Sequence, residues 1–109
     1  MSGRIGGWVV NASASAAIAT AEKDAVANKQ HVIYALDVSF SATPAAPVRV
    51  ELLSSSASPG TSLYVGYVLA ARTILFPEGL CVAQNTAVAA VLSSGGAVIG
   101  EINMHGVTR

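Results

Sequence analysis

The sequence predicts an all-β protein, a single domain built as an antiparallel sandwich or barrel, and three observations carry that reading. Apolar residues recur at every second position over most of the chain, whereas an amphipathic helix would repeat them every 3.6 residues. Runs of Gly, Pro, Ser and Asn interrupt this alternation at intervals that suit short strands. At 109 residues the chain has the size of one common domain, able to bury roughly 65% of its unfolded surface without disulfide staples.

The amino-terminal third comes first. Trp8-Val9-Val10 reads as a strand and Ala12 to Ala21 as a second, because Ser13, Ser15 and Thr20 weaken the helical pull of the alanines. Residues 1–11 are expected to form an amino-terminal arm, either a flexible tail around Gly3, Gly6 and Gly7 or an arm that crosses to a neighbouring subunit, and residues 12–109 the sandwich domain. Arg4, Trp8 to Val10 and Ala19-Thr20-Ala21 loosely imitate a secretory signal, but Asn11, Ser13 and Ser15 interrupt what should be a continuous apolar core. Glu22-Lys23-Asp24 and Asn28-Lys29-Gln30 read as solvated connections.

From Gln30 to Ser41 one face reads Val32, Tyr34, Leu36, Val38, Phe40 and the other Ile33, Ala35, Asp37, Ser39, Ser41, which is a strand with one large-residue face. The prolines at 44 and 47 break the pattern. Val48, Val50 and Leu52 then alternate with Arg49, Glu51 and Leu53, joined to the preceding strand by a hairpin or a short crossover. Ser54 to Gly60 is a Ser-rich loop, and Leu63 to Ala71 a strand with neither face polar. Arg72 to Phe76 is a strand stopped by a Pro77-Glu78-Gly79 turn. Ala87 to Leu92, Ser93 to Gly96 and Val98 to His105 read as strand, turn and returning strand of one hairpin.

Composition narrows the function classes. Charged residues make up 11% of the chain and apolar residues 52%, against about a quarter charged in ordinary soluble domains. A lone molecule with so few charges would show large uncharged surfaces, and such surfaces mark contact sites. The six basic residues stand singly among six acids, which argues against nucleic acid and anionic membranes as partners. No apolar run approaches the ~20 residues of a membrane-spanning helix.

The chemistry-bearing residues form no active-site pattern, so no enzyme and no cofactor is expected. Cys81, His105 and Asp37 match a nucleophile, base and orienting group in type only, with nothing local to link them. Cys81 is expected to pack as a small hydrophobe, and as the only cysteine it can form no internal bridge. His31 and His105 are expected to make rim hydrogen bonds. Glu101, Asn103 and His105 share one strand face, but alternation alone aligns any such trio, so no metal is expected. Asp37 is solvated or paired across strands, and across a subunit contact it is expected to meet Arg49 or Arg72. Ser94-Gly95-Gly96 joins strands and lacks the helix that a phosphate cradle needs.

Several turns and strands resemble those of small β-sandwich proteins encoded among tailed-phage head genes. These are Phe76 to Leu80, Asn85 to Val88, Ser94 to Gly96, Gly106 to Thr108 and, upstream, His31 to Ala42. The resemblance implies a jelly-roll sandwich acting as a capsid decoration, or cement, protein on the virion surface. It also implies a homotrimer bound to the major capsid protein, with no catalytic residue. The apolar strands then supply the candidate subunit interface: Tyr64, Val65, Tyr67, Val68, Leu69, Val88, Val91 and Leu92, together with Trp8. The rival reading is a receptor- or glycan-binding fibre tip, presenting Ser54 to Ser62 with Tyr64.

Overall fold

The computed structural model describes residues 6–54 and 61–109. Eight strands follow in order: β1 (Gly6–Ser15), β2 (Ala19–Lys23), β3 (His31–Phe40), β4 (Val48–Leu53), β5 (Ser62–Val68), β6 (Arg72–Cys81), β7 (Val88–Leu92) and β8 (Ile99–Thr108). They make two four-stranded sheets, ordered β1-β8-β3-β6 and β2-β7-β4-β5. Every pairing is antiparallel, and the first strand pairs with the last, the second with the seventh, the third with the sixth and the fourth with the fifth. That pairing is what a long hairpin gives when it is wound around itself, and it is the jelly roll.

The two sheets meet through their alternating inner faces. Ile33, Leu36, Val38, Ile74, Ile102 and Met104 from the first sheet pack on Ala21, Val48, Val50, Leu52, Val68, Val88, Ala90 and Leu92 from the second. The alternation in β4 holds as the sequence predicts, with Val48, Val50 and Leu52 buried and Arg49, Glu51 and Leu53 turned outward. At one side β1 lies against β2. At the other, Tyr64 of β5 and Phe76 of β6 meet edge to face, with ring centroids 5.5 Å apart, and their rings bridge the two sheets.

Four expectations are corrected. Gly6 to Asn11, assigned to an arm, are the first part of β1 and pair with β8 of the same chain, from Gly6 opposite Thr108; the rest of the expected arm lies outside the described residues. In β3 the faces exchange at Tyr34, because a β-bulge between Ile33 and Ala35 inserts one residue against β8. Ile33 and Leu36 therefore share the core while Tyr34 points outward. Pro77-Glu78-Gly79 does not end a strand: β6 runs through it, bulging by residues 76–79 opposite Tyr34, at a sheet edge where proline's missing N–H is tolerated. Finally, β7 and β8 are not a hairpin. Leu92 pairs with Ala19 and Val50 in one sheet and Ile99 with Ser15 in the other, so residues 93–98 cross between sheets.

Candidate assembly surface

Strand direction places the connections at two ends of the sandwich. Residues 16–18, 41–47, 69–71 and 93–98 gather at one end, tied there by Ser41 N–H to the Ile99 carbonyl (2.9 Å), Ile99 N–H to Ser41 Oγ (2.9 Å) and Ser93 N–H to the Arg49 carbonyl (3.0 Å). Phe40, Ala42 and Thr43 border a shallow recess there with Ala70 and Ala71. None of these four connections contains Asp, Glu, Lys, Arg or His. Ile18 (62%), Leu69 (48%) and the adjoining Ile99 (49%) are exposed around them. Arg72, exposed at the start of β6, is the charged residue that adjoins them, so pressing such an end against another protein strips water from few ions and the desolvation that penalises charged contacts is small. At the opposite end the connections carry Asp24, Lys29, Gln84 and Asn85.

The outer faces of the sheets differ. The β2-β7-β4-β5 sheet presents Val91, Leu53, Val65 and Tyr67 around one ion pair, Arg49 Nη1 to Glu51 Oε1 at 2.7 Å. The Arg49 hydrogen bond, helped by Ser62, holds the Glu51 carboxyl below its ordinary range against the pull of partial burial. The β1-β8-β3-β6 sheet is mixed outside, with Val9 and Leu75 exposed beside a polar centre. Asp37 is the centre of a cross-strand cluster there, accepting from Thr73 Oγ1 (2.7 Å) and meeting His105 Nε2 (2.6 Å). Thr73 foremost, with His105 adding to it against desolvation, lowers the Asp37 pKa. Asn11 Nδ2 donates to Glu101 Oε2 beside this cluster (3.1 Å).

The interface candidates separate. Val68, Val88 and Leu92 lie in the core of a single chain, so intramolecular packing accounts for their burial. Tyr64 leans inward on Phe76, which removes the aromatic that a sugar-binding loop would display; residues 55–60 of that loop lie outside the described residues. Trp8 is half-buried against the core, its indole N–H donating to Thr108 Oγ1 at 2.9 Å. Val91 is half-buried on the outer face. Val65 (43%), Tyr67 (62%) and Leu69 are left at the surface, on or beside edge strand β5.

The remaining candidates are placed as follows. His31 is buried, not at the rim, and both ring nitrogens are engaged, Nδ1 with Thr108 Oγ1 and Nε2 with the Asp24 carbonyl, each at 2.8 Å. Asp37 is paired across strands, with Thr73 of β6 and His105 of β8. Cys81, expected to pack inside, is exposed where edge strand β6 ends. Among the described residues no three His, Cys, Asp or Glu side chains converge as metal ligands. The charge-free end could not be read from the sequence, because four connections far apart in the chain build it.

The sequence matches no family model and no curated protein. Two solved structures share the fold. One, from Bacillus endospore appendages described as a family of disulfide-linked pili, is 18% identical, with 95% of this chain and 88% of that one covered and a TM-score of 0.56. The other, from the acid-stable capsid of Helicobacter pylori bacteriophage KHP30, is 12% identical, with 94% and 87% covered and a TM-score of 0.58. At such identities the likeness is one of fold, an eight-stranded jelly-roll sandwich.

Proposed function

We propose that this chain is a structural protein of a virion, a capsid decoration or cement protein that sits on the outer surface of a phage head and stabilises contacts between capsomers. The observation that carries the reading is the charge-free end built from residues 16–18, 41–47, 69–71 and 93–98, with Ile18, Leu69 and Ile99 exposed around it. That end seats on the major capsid protein, and the ion-bearing end faces outward. Two neighbours of the same fold, one from a phage capsid and one from a pilus, support an assembly role. Each seated copy adds a modest contact, and bridging several shell subunits multiplies it.

Co-sedimentation of the purified chain with phage heads stripped of it tests the reading. The parent chain is expected to pellet with the heads, and Ile18→Glu, Leu69→Glu and Ile99→Glu to remain in the supernatant while keeping the parent's circular dichroism. A parent chain that does not pellet, or glutamate variants that bind as well as it does, would overturn the assignment.

A further inference from the structure

We propose that β5 is a self-pairing edge: two copies of the chain join antiparallel along Tyr64–Val68, about a two-fold axis at Gly66, extending β2-β7-β4-β5 into an eight-stranded sheet. This surface adjoins the charge-free end at Leu69 but does not depend on the shell-binding reading.

The sandwich has four edge strands, β1, β6, β2 and β5, and natural sheets protect such edges with charge, proline, bulges or brevity. β6 carries Arg72, Pro77 and Glu78 and bulges at residues 76–79. β2 is five residues long and contains Glu22 and Lys23. β1 lies against β2, with Asn11, Ser13 and Ser15 exposed along it. β5 is seven residues, SLYVGYV, with no charge and no proline, and its one irregularity faces β4 between Leu52 and Leu53. Among the described residues it is the edge left open.

A second copy of β5 fits this edge. With Gly66 opposite Gly66 on the axis, Val65 of each copy stands across from Tyr67 of the other, twice over. Both contacts are aromatic against β-branched, a favourable cross-strand combination. Neither strand brings an ion to the seam, and a chain of zero formal net charge does not repel its copy. A strand edge with two exposed side chains covers less than the roughly 800 Å² per partner of a stable interface, so the contact is reversible and concentration-dependent. An isologous contact of this kind closes at two copies, giving a dimer where the phage-protein resemblance implies a trimer.

The pairing is tested by sedimentation equilibrium on the full chain from micromolar to several hundred micromolar. A monomer–dimer equilibrium is expected. Val65→Lys and Tyr67→Glu should each weaken it about tenfold or more, since a charge then faces an apolar side chain across the seam. The double variant Val65→Lys/Tyr67→Glu should recover most of the loss, because each lysine then faces a glutamate of the other copy. Within the fold these changes are tolerable, as Val65 neighbours Glu51 and Tyr67 neighbours Arg49 on β4. A trimer, a monomer at every concentration, or a double variant no better than the singles would overturn the proposal. A dimer that ignores phage heads would leave it standing and remove the decoration role instead.

Discussion

His31 shows how one buried polar side chain fixes the polarity of its surroundings. The Asp24 carbonyl can only accept, so His31 Nε2 carries the hydrogen; in the neutral ring Nδ1 then accepts from the Thr108 hydroxyl, whose oxygen accepts from the Trp8 indole. Trp8 and His31 also meet edge to face, with centroids 5.6 Å apart, and Lys23 Nζ stands 5.4 Å from the Trp8 ring. Thr108→Val removes the hydroxyl that serves both rings while keeping its shape. A loss of about 1–3 kcal/mol in urea unfolding, with a shift in tryptophan emission, is expected. Asp37 yields a pH prediction. Its folded pKa is lowered, so its stabilisation is complete above the ordinary aspartate value of about 3.9 and is lost as pH falls through the lower, folded value. Urea midpoints of the parent should therefore fall more steeply below about pH 4 than those of Asp37→Asn. Half-exposed as the pair is, the difference is small.

Strands were legible in the sequence where one face is apolar and the other polar, as in β4, and in β8, where Gly100, Ile102, Met104 and Gly106 are buried. The bulge at Tyr34 was not, because large residues occupy both parities of that strand and the inserted residue shows only against the register of β8. The sheet change between β7 and β8 was hidden for a related reason: the glycines of Ser93–Gly96 suit a hairpin and a crossover equally, and the partners of Leu92 and Ile99 decide between them. Glycine has another task within the strands. Trp8 pairs with Gly106 and its ring lies over it, so a Cβ at Gly106 would stand 2.6 Å from Trp8 Cζ2 and 2.7 Å from the Val32 carbonyl oxygen. An aromatic ring covering a cross-strand glycine is a known sheet device, and the backbone oxygen cannot retreat. Gly106→Ala is expected to cost about 1–3 kcal/mol and to expel the indole from its contact with Thr108, visible as red-shifted emission.

At the scale of the molecule, winding the chain into a jelly roll makes its ends one another's partners. Gly6 pairs with Thr108 and Ser15 with Ile99, so the sheet β1-β8-β3-β6 cannot close until the final strand arrives. The same winding collects four distant connections that carry no charged residue at one end, a gathering that composition alone does not locate. Loop closure across nearly the whole chain comes before the contacts that reward it, and all-β folds of this kind refold on the order of milliseconds to seconds. β8 is the strand on which this rests. It pairs with β1 on one side and β3 on the other, and it delivers Ile102 and Met104 to the core. A chain ending at Val98 would leave β1 without a partner, β3 with an open edge and the core short of two large side chains. It is expected to show no cooperative urea transition and no tryptophan burial, whereas the full chain refolds in one main phase. A truncated chain that still unfolds cooperatively would mean that the second sheet, β2-β7-β4-β5, is stable without its facing sheet, and that the two layers do not fold as one unit.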